Sequence, residues 1–285
     1  MLTWRPSASL AALRERSRCL GQIRAFFAAR DVVEVQTPML GARTVTDAEV
    51  ESIAVHPYGF LQTSPEYYMK RLLAAGAASI YQLGPAFRHE ESGRLHNSEF
   101  TLLEWYRLGF DDRQLMQEVA ELVDDVLGRG SYTSLTYSEL LGGVDALKLE
   151  RDEIDLKFVA AIERLGQGRF FITDYPADQA ALARLRPGHE DVAARFELVI
   201  DGVEIANGYW ELQSAAEHRR RFQADRDRRA QLDRSDVLVD ECFIQALEHG
   251  LPDCAGVALG VDRLLMLALG ETSLDAVLAF RLDRI

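Results

Sequence analysis

Residues 81–106 read YQLGPAFRHEESGRLHNSEFTLLEWY. Two strand-like runs flank a polar loop that holds Arg88, His89, Glu90, Glu91, Arg94, His96, Asn97 and Glu99. A period of two puts Gln82, Gly84, Ala86, Arg88 and Glu90 on one face of the first run. In the second run Phe100, Leu102, Glu104 and Tyr106 share a face. The first face is small or charged and therefore poor core material. It suits a buried anionic ligand lying near the backbone: Arg supplies a planar fork for phosphate and Phe100 a flat surface for a base. The same alternation also fits an amphipathic hairpin with a solvated charged loop.

Working outward, three further segments place reactive side chains at strand ends. In GFLQTSPEYYMKRLLAAG a short strand leads to Ser64, and Pro65 marks a helix start, where proline is well tolerated. Glu66 then lies in the first helical turn, where it can also simply complement the helix dipole. RFELVIDGVEIANGYWEL (195–212) reads as a strand pair turning at Asp201-Gly202. Glu204 and Glu211 are seven residues apart, so strict alternation puts them on opposite faces. Serving one site requires a bulge, and Gly208 is the expected place. CAGVALGVDRLLMLALG runs from a strand with Gly256, Ala258 and Gly260 on one face straight into a helix that begins near Arg263. A strand face without bulk lets a ligand lie flat on the backbone.

The remaining chain reads as ordinary framework. Residues 7–30 form a helix capped by Ser7 or Ser9, followed by the extended DVVEVQTPML. DDRQLMQEVAELVDDVLG is an amphipathic helix. Residues 131–170 are weakly patterned, with short helices expected in SELLGG and EIDLKFVAAIERLG. RFFITDYP is a buried strand and DQAALARL a short helix. AEHRRRFQADRDRRAQL is a charged helix with its charge solvated, and DVLVDECFIQALEHGLPD is another helix.

Composition narrows the class. The 285 residues are 48% hydrophobic and 27% charged, a globular balance. The net charge of −13 gives no global footprint for nucleic acid, although the basic run at 219–229 leaves room for a local patch. The three cysteines, Cys19, Cys242 and Cys254, are unclustered, which fits a reducing compartment and no structural metal. No signal peptide or membrane-length apolar run is present, so a cytoplasmic protein without membrane partners is expected. The candidate site segments stretch from residue 63 to residue 263, too widely for a small module, so a single domain over 1–285 is expected.

Taken together, these strings resemble the catalytic domain of class II aminoacyl-tRNA synthetases. VVEVQTPML resembles the first motif of that class, FRHEES with NSEFTLLEWY the second, and GVALGVDRLLML the third. Lysyl-tRNA synthetases are similar, and so is their truncated paralogue family, the elongation factor P lysine ligases. SPEYYMKRLL, HNSEFTLLEWYR, GVEIANGYWEL and PDCAGVALGVDRLLMLALG all look like that family, and the likeness covers essentially the whole chain.

The resemblance implies an α+β fold, an antiparallel β-sheet flanked by helices, and a homodimer built through the first motif. It implies ATP and Mg2+ as cofactors and a lysine or β-lysine substrate. The chain starts at the helix before the first motif, leaving no room for the anticodon-binding OB domain of the tRNA-charging relatives. Elongation factor P, rather than tRNA, is the implied acceptor. By resemblance Arg88 and Arg263 are catalytic, holding the α-phosphate and the distal phosphates. Phe100 stacks on adenine, framed by His89, Glu90 and Asn97. Glu204 and Glu211 bind magnesium or nucleotide, with Ile205 beside them, and Gly260 lets the nucleotide lie close. Ser64, Pro65, Glu66, Tyr106, Glu211 and Ala258 form the amino-acid pocket. The chain departs from its relatives at His89, often Asn there, at Trp210, and in a shorter 145–168 segment. A free-standing lysyl-tRNA synthetase-like enzyme and a non-catalytic amino-acid or nucleotide-binding regulator are the rival readings.

Overall fold

The computed structural model describes residues 4–89, 92–144, 146–281 and 284. In chain order the elements are α1 (Leu10–Ala28), β1 (Val33–Glu34), β2 (Leu40–Gly41), β3 (Ala54–Val55), β4 (Gly59–Leu61), α2 (Glu66–Ala74), β5 (Ile80–Phe87), β6 (Glu99–Leu108), α3 (Asp112–Leu127), β7 (Tyr132–Thr136), α4 (Tyr137–Leu140) and α5 (Arg151–Leu165). Then follow β8 (Arg169–Pro176), β9 (Leu185–Arg186), β10 (His189–Ile200), β11 (Val203–Trp210), α6 (Ala215–Gln231), α7 (Glu241–Gly250), β12 (Cys254–Gly260) and α8 (Val261–Ala268). The strand pairing is mixed but mostly antiparallel, and the fold is α+β. Among the described residues no helix is long and apolar enough to cross a membrane.

The chain packs as two compact units, one of residues 1–105, 213–252 and 260–285, the other of 106–212 and 253–259. In the first, β1 lies parallel to β5, and β5 neighbours β6. Ser9 caps α1 by accepting from the amide of Ala12, and the buried stripe Ala12, Cys19, Ile23, Phe26 and Phe27 turns one face of that helix inward. Phe27 stacks on Tyr81 at 4.4 Å and meets Trp105 edge-on at 5.3 Å. Gln82, expected on a ligand face, instead accepts from the amide of Thr37 at 2.7 Å and pins the segment that follows β1.

The second unit orders its strands β12-β11-β10-β8-β7, with β9 paired to β10. Asp201 and Gly202 both adopt positive φ (50° and 77°), as a two-residue turn between twisted antiparallel strands demands. The capping box of Asp111 and Gln114 starts α3.

Three expectations change. Residues 132–136, weakly patterned in sequence, form a strand parallel to β8. DQAALARL does not form a helix beyond a short 3-10 turn at Ala177–Gln179. Ala181 takes φ 46°, the amide of Arg184 donates to Trp210 O at 2.9 Å, and Leu182 O accepts from the amide of Leu212 at 3.1 Å. Pairing with the end of β11 outweighs the helical propensity of alanine and leucine. Finally, one charge of α6 is withdrawn from solvent, while its other charged side chains keep some exposure, as expected. Arg229 is 1% exposed and bonds the Glu51 carboxylate at 2.8 Å and Ser235 O at 2.8 Å. Arg219, Arg220 and Arg226 pair with Glu241, Glu217 and Asp236, so the basic run is largely neutralised by neighbours.

Asp225 of α6 accepts from the Thr46 hydroxyl at 2.9 Å. Burial, with the nearby Asp47 charge, pushes its carboxyl up to about 6. A carboxyl raised in the folded state binds a proton there that the unfolded chain has released. Its penalty is therefore absent below the ordinary carboxylate range and grows as pH rises through about 6. Asp225→Asn is expected to be the more stable protein at pH 8 by about 2 kcal/mol, with the gain vanishing towards pH 4. Urea unfolding at the two pH values checks this.

Candidate active site

In the first unit Pro65 occupies the N-cap position of α2, and Glu66 opens the helix, as the sequence implies. The amide of Glu66 donates to Ser64 Oγ at 3.4 Å. Glu66 Oε1 also accepts from Lys70 Nζ at 2.6 Å.

Arg88 follows β5, and its amide donates to Ser98 O at 2.9 Å. Its guanidinium carbon stands 5.1 Å from the centroid of the Phe100 ring. A ring with an arginine over one face retains its second face for a stacked base. The amide of His89 donates to Glu51 O at 2.8 Å. Asn97 is 6% exposed and donates to Glu99 O at 2.7 Å. Glu90 lies outside the described residues.

Arg263, in the first turn of α8, donates to Leu95 O at 3.2 Å, and its Nη2 lies 2.8 Å from His96 Nε2. Arg88 and Arg263, distant in sequence, are thus both fastened to residues 95–98 of one loop. Beside Arg263, Asp262 accepts from Arg16 Nη1 at 2.6 Å and from the amide of Thr101 at 2.7 Å, which fixes the start of α8. A Cβ built on Gly260 would meet only the stem of Arg263, at 3.7–3.9 Å, so packing within the chain does not demand glycine there. Sequence reasoning missed the His96 contact, because the pattern of a polar loop does not say which of its side chains meets a residue far along the chain.

In the second unit the bulge that Glu204 and Glu211 require is present, but at Ile205 and not at Gly208. Leu198 pairs with Ala206 and Val199 with Glu204, which leaves Ile205 as the additional residue, while Gly208 stays in register with Phe196. One extra residue reverses the parity of the strand. Glu204, Asn207, Tyr209 and Glu211 consequently share a face. Ala258 and Gly256 of β12 lie opposite Asn207 and Tyr209 on that face. Ile205 is 2% exposed, so its side chain belongs to the core and only its backbone can serve a ligand. Asn207 and Tyr209 join the candidate set once the bulge is placed; alternation without a bulge hid them.

Tyr106 and Glu211 are 2% and 1% exposed. A Cβ on Gly256 would fall 2.3 Å from Tyr106 Cε1 and 2.5 Å from Glu211 Oε1, so the glycine is what admits both side chains. Glu211 is held from behind: Arg184 donates to its carbonyl at 2.9 Å and to Asp253 Oδ1 at 2.6 Å, with the guanidinium over the Trp210 ring at 4.1 Å. The unusual Trp210 therefore acts as a platform for Arg184. A second polar group backs Asn207. Arg195 donates to Asn207 Oδ1 at 3.3 Å, to Gln179 O at 2.8 Å and to Glu197. Burial pushes the Glu197 carboxyl up, the Arg195 charge opposes that shift, and the Glu204 charge adds to it.

Among the described residues no three His, Cys, Asp or Glu side chains cluster as a metal site. Magnesium does not need such a cluster, since it is commonly held by one or two carboxylates together with substrate phosphates. Glu204 and Glu211, turned to one face by the bulge, fit that requirement.

The class II tRNA synthetase family (D, K and N) matches residues 1–284. This chain belongs to it. Its place in the synthetase family is narrowed by curated relatives that align over nearly their whole length. A Vibrio cholerae protein named elongation factor P–(R)-beta-lysine ligase is 45% identical, covering 99% of this chain and 98% of its own. Proteins of the same name from Vibrio atlanticus and Edwardsiella ictaluri are 42% and 43% identical, each covered to 99%. The Vibrio cholerae alignment runs over 318 residues against 285 in this synthetase-family chain, so the relative carries residues that this chain lacks. The chain is an enzyme of class II synthetase type, and ATP use goes with that family.

Proposed function

We propose that the chain is an ATP-dependent ligase. It activates (R)-β-lysine or lysine as an aminoacyl-adenylate and transfers it to the ε-amine of a lysine on elongation factor P. Relatives of that printed name at 42–45% identity support the reading, and the family match across both compact units supports one catalytic domain. The observation that carries it is the fastening of Arg88 and Arg263 to one short loop, beside the aromatic ring of Phe100.

In the first step a carboxylate oxygen of the amino acid attacks the α-phosphorus of ATP, the bond to the pyrophosphate oxygen breaks, and pyrophosphate leaves. Such a step depends on positioning and charge stabilisation. Arg88 neutralises the α-phosphate and Arg263 the distal phosphates, while Phe100 stacks on the base near Asn97. Magnesium, held by Glu204 and Glu211, supplies further charge neutralisation to the phosphates when bound. Ser64, Glu66, Tyr106 and Glu211 receive the substrate's ammonium groups, which a desolvated pocket accepts only with carboxylate partners. In the second step the acceptor amine attacks the acyl carbon, AMP departs, and the amide nitrogen releases a proton.

Mass spectrometry of elongation factor P after incubation with ATP, magnesium and each lysine isomer tests this. The expected result is a gain of one lysyl residue on one acceptor lysine. Labelling of lysine tRNA with no change in elongation factor P overturns it.

Ala258 stands opposite Asn207 on the carboxylate-bearing face, and its methyl narrows that face in favour of the β-isomer. Ala258→Gly is expected to lower the β-to-α-lysine activation ratio by roughly 10-fold, within the range of one methyl in a pocket. An unchanged ratio in pyrophosphate exchange rejects this basis for isomer choice. The exposed apolar Val33, Met39 and Leu40 of the first motif support a homodimer, and the reading places the enzyme in the cytoplasm, where its acceptor is.

A further inference from the structure

Lys70 lies one turn beyond Glu66 on α2, and its side chain is wholly removed from solvent. Its ammonium sits 2.6 Å from Glu66 Oε1, and the Glu66 side chain remains 17% exposed. A buried ammonium is costly unless a counter-charge stands against it, and Glu66 meets that need. His218 of α6 is 0% exposed, and its Nδ1 lies 2.9 Å from Ser214 O, so that nitrogen carries the proton and the ring is neutral. Burial, then the Lys70 charge, pushes this imidazole down to about 3. His218 meets Phe222 and Phe243 edge-on at 5.8 Å and 5.6 Å.

We infer that Lys70 is a positioning residue: from beneath α2 it fixes Glu66 by Oε1 and presents the rest of the carboxylate to the substrate's amine. The inference rests on the reading of Glu66 as an amine acceptor. A carboxylate held in place needs no reorganisation when the amine arrives, whereas a carboxylate without Lys70 is free to rotate. Removing Lys70 therefore weakens amino-acid binding and leaves ATP binding alone. A purely structural role would instead disturb both substrates, because α2 and the phosphate-binding residues belong to the same compact unit.

The test measures pyrophosphate exchange for Lys70→Met, Glu66→Gln and the double variant, with KM determined separately for amino acid and ATP. Lys70→Met is expected to raise the amino-acid KM by roughly 10–50-fold while the ATP KM stays within about twofold. In the Glu66→Gln background the same change is expected to add little, because the two residues act as one unit. Lys70→Gln keeps a donor for Oε1 without the charge and is expected to recover part of the loss; it is read by the same criteria if Lys70→Met does not fold. Equal rises in both KM values, or additive effects in the double variant, overturn the positioning role. If Glu66→Gln itself leaves the amino-acid KM unchanged, the assignment of Glu66 fails, a result distinct from failure of the Lys70 inference.

Discussion

Arg88→Ala is expected to reduce lysine-dependent pyrophosphate exchange by roughly 10^3-fold, about 4 kcal/mol of transition-state stabilisation, with the loss mainly in kcat. In the proposed reaction the residue is the source of positive charge for the α-phosphate, where negative charge builds as the carboxylate attacks. Its position is set twice, by the bond from its own amide to Ser98 O at 2.9 Å and by its seat over the Phe100 ring at 5.1 Å. Loss of the side chain removes the charge and the cation–π contact, the latter worth about 1 kcal/mol, but not the strand pairing. Arg88→Lys keeps the charge and loses the planar fork, and an intermediate rate is expected. Exchange assays with a thermal melt as control decide the matter; an Arg88→Ala rate within threefold of the parent refutes the assigned role.

Gly256→Ala is expected to lower kcat/KM for the amino acid by roughly 10^2-fold and to destabilise the protein by about 1–3 kcal/mol, the usual cost of overpacking. The added methyl would stand 2.3 Å from Tyr106 Cε1 and 2.5 Å from Glu211 Oε1. Glu211 can turn its carboxylate aside, but Tyr106 is a ring 2% exposed in packed surroundings and has little room to give. Either adjustment moves a group proposed to contact the substrate. Gly260→Ala is the informative companion, because a methyl there meets only the Arg263 stem at 3.7–3.9 Å. It should leave stability unchanged and raise the KM for ATP. Steady-state kinetics in both substrates, with urea unfolding, separates the two glycines.

Much of the framework was legible in local pattern. Proline before Glu66 marked the start of α2, Asp201-Gly202 marked the hairpin turn, and the run of Gly256, Ala258 and Gly260 into Arg263 marked a strand passing directly into a helix. Each is a short-range signal: a fixed φ, a positive φ, or a missing side chain. The three synthetase motifs added the order in which the candidate site segments occur.

What local pattern did not contain was any quantity set by a partner distant in sequence. The bulge fell at Ile205 because β11 must keep register with β10, and that choice gathered Glu204, Asn207, Tyr209 and Glu211 on one face. Residues 178–185 read as helix but were recruited to the end of β11, where a backbone pairing outweighs a weak propensity. Arg229 read as a solvated charge but is buried, because Glu51 and backbone carbonyls of another segment receive it. The burial of Lys70 against Glu66 is likewise visible only in the structure. The sequence alone determined which residue types stand at strand ends and in what order. Tertiary structure decided which of them face the same way and which charges are shielded from water, because strand register and desolvation are both properties of contacts between distant segments.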